Sequence, residues 1–213
     1  MNKTFIAILT PLLLTLLTVR SSAQTLPHDE QLQEVVILGK QRAKKLFGRG
    51  TRMPGAIIQL TPDQIGHEIA SAITVVRTTE VKEIAFDILE SSIENAVLGI
   101  TIYRDSTFAP MLDRPILVDV PQGKRRTITI APDVPVLLEQ GRYLLAISFV
   151  DCADEVKAQW AESSQWDDAM RYKMTKQNSI HFPLYAKESY MRSGMAFTFE
   201  KRNFNLGLRV KGL

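Results

Sequence analysis

The sequence predicts an all-β domain over residues 62–213. The expected architecture is an antiparallel two-sheet sandwich, jelly-roll or immunoglobulin-like, with one helical or irregular excursion near residues 152–178. Three observations carry this expectation. Apolar side chains alternate with period two in Glu83–Glu90, Val97–Arg104, Arg125–Ala131 and Arg142–Val150; Pro and Gly punctuate the intervals; helical spacing is confined to one stretch. Successive side chains of an extended chain point to opposite faces, so alternation marks half-buried strands. Several such stripes are buried by stacking two antiparallel sheets face to face.

The elements follow in chain order. Lys3, an apolar run from Phe5 to Val19, and the small residues Ser21, Ser22 and Ala23 read as a secretory signal over residues 1–23; the run suits a signal core better than a span of roughly 20 residues. Residues 24–61 read as a basic, flexible leader. It contains one short β-prone run, Leu32–Leu38, followed by Lys40, Arg42, Lys44, Lys45, Arg49 and Arg52 with no acidic residue among them, and with Gly48, Gly50, Pro54 and Gly55 interleaved. Such a stretch reads first as a solvated linker, and as a contact for an anionic surface if it binds anything. Thr61-Pro62-Asp63-Gln64 has a capping residue, a proline at the first helical position and a Gln three beyond the cap. That pattern starts one turn, which Gly66 stops.

Glu68–Val76 is β-branched and apolar. In Glu83–Glu90, Ile84, Phe86 and Ile88 alternate with Ala85, Asp87 and Leu89, and Ser91–Asn95 connects to Val97–Arg104. Ile116–Val120 is closed by Pro121-Gln122-Gly123, Arg125–Ala131 alternates again, Val134–Leu138 is brief, and Arg142–Val150 is the most apolar run, with Tyr143, Leu145, Ile147 and Phe149 on one face. Ser179–Leu184, Met195–Phe199 and Asn205–Val210 complete a set of about ten strands. Between Cys152 and Asn178 the alternation stops, and Val156, Trp160, Trp166, Met170 and Met174 fall at helical spacing.

Composition narrows the function. At 45% hydrophobic content the 213 residues can build one sizeable core. The 26 basic and 23 acidic side chains come within about one charge of balance once Lys3 and Arg20 leave with the signal, so the basic excess expected of a nucleic-acid binder is missing. The single cysteine, Cys152, can form no internal bridge and reads as a buried small residue.

Candidate chemistry is sparse. His28 lies in the leader, His67 enters a strand, and His181 alternates with Ile180 and Phe182 as a strand residue with one hydrogen-bond partner, so no nucleophile and base pair up along the chain. Neither HExxH nor CxxC occurs, and no metal or cofactor is expected. Asp151, Asp154, Glu155, Asp167 and Asp168 are the available acids, with Lys157, Arg171 and Lys173 near enough in sequence to neutralise them on a helix surface. Both tryptophans lie in the excursion. Trp160, Trp166 and Tyr172 are therefore the candidate binding surface, although Trp at helical spacing more often covers core than ligand.

The run Gly66-His67-Glu68, Lys82–Glu90, Val97–Arg104, Arg125–Ala131 and Arg142–Val150 resembles a family of exported β-sandwich domains from Bacteroidetes that accompany carboxypeptidase-regulatory-like domains. Leu32–Lys40 (LQEVVILGK) is similar to the stretch that closes such a regulatory repeat or opens a TonB-dependent receptor plug, and Tyr190-Met191-Arg192 with Leu206–Gly212 resembles the family's closing strand pair. The resemblance implies an envelope accessory domain without known catalysis and carries over no functional residue. The expectation is thus a non-catalytic domain exported to the periplasm, outer-membrane surface or extracellular space, binding an envelope protein or glycan and no nucleic acid. A hydrolase using the loop carboxylates is one alternative. The other is a spacer held peripherally to an anionic membrane surface by the basic leader.

Overall fold

The structure, a computed structural model, describes residues 44–45, 50–194 and 198–213, which belong to one compact unit, Lys40–Leu213. The signal, the run Leu32–Leu38, and Lys40, Arg42 and Arg49 lie outside the described residues. The strands, numbered in chain order, are β1 (Lys44–Lys45), β2 (Thr51–Leu60), β3 (Glu68–Val75), β4 (Thr79–Ser91), β5 (Ala96–Arg104), β6 (Ile116–Val120), β7 (Gly123–Ile130), β8 (Val136–Leu138), β9 (Gly141–Asp151), β10 (Ile180–Arg192), β11 (Glu200–Asn205) and β12 (Arg209–Gly212). Two helices, α1 (Asp154–Trp160) and α2 (Asp168–Gln177), fill the excursion.

The protein is mainly antiparallel β, in one large sheet that curls nearly into a barrel, with the path β1-β12-β4-β10-β3-β9-β5-β6 and with β2, β7, β8 and β11 branching from it. No break in the pairing separates two sheets, because β10 changes partners part-way. Ile180–Ala186 pairs with β2 and, at Ile180 and His181, with β4; beyond a bulge between Ala186 and Ser189 the β2 edge is taken by β3, while β11 pairs on both sides of that bulge, from Tyr185 to Met191. A bulge bends a strand and increases its twist, which is what carries β10 round the corner.

One main core lies inside the curl. It is built from alternate residues of the strands, including Ile73, Phe86, Ile100, Ile147, Phe182 and Val210, all at most 1% exposed. Each such side chain removed from water contributes about 1.5–3 kcal/mol. A smaller cluster of Ala70, Tyr103, Leu144, Ala146 and Phe199 packs on the opposite faces of β3, β5 and β9.

Several elements differ from the expectation. Thr51–Leu60, near the end of the supposed leader, is strand β2, paired from Leu60 opposite Ile180 to Thr51 opposite Ala186. Its side chains are mostly exposed, so main-chain pairing rather than burial holds it, and Pro54 and Gly55 (φ 73°) fall where the register jumps between Ile57 and Arg52. Lys44 and Lys45 form β1, opposite Gly212 and Lys211. The final strands lie later than predicted. β11 starts at Glu200, whereas the expected Met195–Phe199 strand falls partly on residues outside the description and its last two residues, 198 and 199, are not strand. β12 starts at Arg209, after a turn in which Gly207 (φ 65°) leaves room for Tyr185: a Cβ there would sit 2.5 Å from that ring. The predicted first turn is present as a 3-10 turn, Pro62–Gln64, with Thr61 and Gln64 forming the capping box.

Candidate functional site

A concavity lies where the pairing runs out. β6 ends the sheet path and pairs only with β5, and β8 pairs only with β4. Prolines bracket both: Pro115 and Pro121 around β6, Pro132 and Pro135 before β8. Proline lacks the N–H that a ladder needs, so it confines strands to short edge segments. The segments Met111–Leu117 and Pro132–Leu137 line a groove of about 720 Å³. Met111 and Leu112 pack against the core from below, whereas Leu117, Val134 and Leu137 stand 63%, 69% and 58% exposed. Alternation explains the two leucines: Val118 and Val120 on β6, and Val136 and Leu138 on β8, turn inward, which forces Leu117 and Leu137 outward. Asp113, Arg114 and Asp133 supply the charged part of the lining.

The two tryptophans pack toward the core. Trp160 is 4% exposed and belongs to the main core together with Val156, one helical turn earlier, and Trp166 is half-buried against the same core. Their rings meet edge to face at 5.0 Å. The Trp160 ring is occupied in packing, which leaves little of it for a partner to touch. Tyr172 is exposed and lies under the Lys176 ammonium, 4.6 Å from its ring centre. Of the basic residues predicted in the leader, Arg52 is exposed on β2.

Three of the loop acids, Asp151, Asp154 and Asp167, are engaged with a cation or with main chain. Lys157 lies 2.7 Å from both Asp151 and Asp154. The hydrogen bond from Lys157, then that from the Cys152 N–H, holds the Asp151 carboxyl below its usual range, and the two carboxylates push Lys157 up. Asp167 caps α2, accepting from the Met170 N–H at 2.7 Å. Cys152 is buried, and burial first, then Asp151, raises its thiol pKa, which makes it a poor nucleophile. His181 has one partner, the Ser179 hydroxyl at 2.7 Å, and Ser179 is 1% exposed, so the pair presents no nucleophile to a substrate. Among the described residues no three His, Cys, Asp or Glu side chains are placed to hold a metal ion.

Two polar clusters on the outer face escaped sequence reasoning, because their members are far apart in the chain. Arg192 bonds Glu68 and the Tyr103 hydroxyl (2.9 Å), Tyr103 donates to Glu68 at 2.8 Å, and the guanidinium lies 4.6 Å from the Phe199 ring centre. Burial, then the Glu68 bond, pushes the Tyr103 phenol up to about 12. Beside it, Glu188 accepts from Tyr190 at 2.5 Å, pairs with Lys201 at 3.1 Å and bonds Arg142, whose Nε lies 3.1 Å from Asp105. These groups satisfy one another and tie β3, β5, β9, β10 and β11 together. The groove was also missed. Its one legible signal is a pair of short strands closely bracketed by proline, which marks edges.

No family model, curated protein or solved structure matches the chain.

Proposed function

We propose that the chain is an exported, envelope-associated and non-enzymatic binding domain, its strands closed as two packed antiparallel layers, whose groove between β6 and β8 holds a partner protein. One observation carries the reading: Leu117, Val134 and Leu137 face solvent around a single concavity. Large aliphatic side chains gathered in one exposed patch mark interaction sites. The lining favours a protein over a glycan, because sugar faces are met by aromatic rings and the groove has none. Export rests on the charged start, apolar run and small residues of the first 23 positions. The engagement of Asp151 and Asp154 by Lys157 speaks against the hydrolase reading.

The test is site-directed photo-crosslinking in the producing cell, with a photoreactive side chain at Leu117, Leu137 or Tyr172. The reading expects one protein adduct from positions 117 and 137, lost on Leu137→Asp or Leu117→Asp respectively, and none from 172. Adducts from 172 alone would refute it. Amino-terminal sequencing of the exported form should begin at Gln24.

A further inference from the structure

The free edge of β6 carries main-chain groups whose direction the hydrogen bonds fix. Met111 N–H donates to the Ile102 carbonyl at 2.7 Å, and Arg104 N–H donates to the Ala109 carbonyl at 2.9 Å, so Ile102 and Arg104 direct their polar groups away from β9. On the other side, the Ser148 hydroxyl donates to the Gly99 carbonyl at 3.3 Å, which places the odd-numbered groups of β5 toward β9. Alternation then assigns Leu98 and Ile100 to the β6 side, bonded to their register partners Val118 and Ile116. The N–H and C=O of Leu117 and Asp119 therefore point outward, toward no strand of the described residues.

We infer that the partner is held by strand addition: an extended segment pairs along Ile116–Val120, with an aliphatic side chain opposite Leu117 and a lysine or arginine opposite Asp119. This rests on the groove reading above and specifies its ligand. Pro115 and Pro121 close both ends of the free edge, which limits the guest to about five residues in register. Leu117 and Asp119 share the outward face of β6, both exposed. Side chains directly opposite across a ladder interact, so apolar and basic guest residues two apart would each meet a complement. The charge follows from the rim. Asp119 on the edge and Asp113 and Asp133 in the groove lining form no ion pair among the described residues, and Arg114 is the one basic residue of that lining.

The experiment uses the purified protein and acetylated, amidated heptapeptides with valine and lysine, or valine and glutamate, two residues apart and threonine at the positions between, plus a valine-lysine version N-methylated at alternate main-chain nitrogens. Binding is read by fluorescence anisotropy. The valine-lysine peptide should bind, the glutamate version about tenfold or more weaker, and the N-methylated version about tenfold or more weaker through loss of main-chain bonds alone. In the protein, Asp119→Pro removes one outward N–H at an edge position that tolerates proline, and should weaken binding beyond Asp119→Ala, which removes only the charge. Equal affinity of the N-methylated and parent peptides, with Asp119→Pro no worse than Asp119→Ala, overturns strand addition. If Leu117→Asp or Leu137→Asp abolishes binding in that case, the groove itself survives. If those two variants bind every peptide as the parent does, or if no peptide binds, both readings fall. Should Asp119→Pro fold poorly by circular dichroism, the N-methylated peptide decides.

Discussion

Arg209 holds Asp87 by both oxygens, its two terminal nitrogens each 3.1 Å from one of them, across 122 residues of chain. The pair is nearly buried, at 9% and 16% side-chain exposure, and Thr127 and Tyr185 donate to the same carboxylate at 2.7 and 3.2 Å. One acid thereby fastens β4 to β7, β10 and β12.

Removing either partner strands a charge in a poorly hydrated place. Arg209→Met and Asp87→Leu should each cost about 3–5 kcal/mol in urea unfolding. The double variant Asp87→Leu with Arg209→Met should cost much less than the sum, because no charge is left unpaired. Additive losses in the double-mutant cycle would show that the two side chains act separately.

The burial of Trp160 separates packing from recognition. Trp160→Ala should destabilise the fold by about 3–5 kcal/mol by opening a cavity in the core. The indole N–H is buried without a hydrogen-bond partner among the described residues, and an unsatisfied donor carries its own penalty. Trp160→Phe removes that donor while keeping most of the ring, so it should cost below about 1.5 kcal/mol. Thermal and urea unfolding followed by far-ultraviolet dichroism measure both. A Trp160→Ala protein as stable as the parent would contradict this placement.

The Glu188 and Tyr190 contact predicts loss of stability at both ends of the pH scale. The hydrogen bond from Tyr190, then those from Lys201 and Arg142, lowers the Glu188 carboxyl from 4.5 to about 2. The same bond, with burial, raises the Tyr190 phenol from 10.0 to about 12. A lowered acid contributes stability that is present above about 4.5 and lost as pH falls toward 2; a raised phenol contributes stability that is full below about 10 and lost as pH rises through 12. Glu188→Gln should flatten the unfolding free energy in both windows, and Tyr190→Phe should flatten the alkaline one. Urea unfolding at stepped pH checks it, and unchanged slopes would rule the contact out as a source of stability.

Sequence reading succeeded where burial imposes a pattern. β3, β5, β6 and β9 start and stop within about two residues of expectation, β6 because its one buried face alternates and β3, β5 and β9 because they are buried on both faces and read as continuous apolar runs. β2 was illegible because Thr51–Ala56 buries almost nothing and contains Pro54 and Gly55; its strand character comes from the backbone of β10. β10 was read only as far as Leu184, because the alternation slips at the bulge near Ala186 where the strand changes partners. The tryptophans were legible as a helical stripe, and their spacing already favoured the core that receives them. The groove was not legible. Leu117 and Leu137 look like ordinary members of apolar strands, and only the pairing shows that they face outward at two edges.

The divided allegiance of β10 also bears on how the protein acquires its shape. Its thirteen residues bond segments made early, β2 and β3, and one made late, β11, while β12 inserts between β1 and β4 rather than at a margin. Such long-range pairings carry the loop-closure entropy that slows β-rich chains. A growing polypeptide cannot shut the barrel-like curl until residues 180–212 are available, which leaves the greasy stripes of the earlier strands unprotected during synthesis.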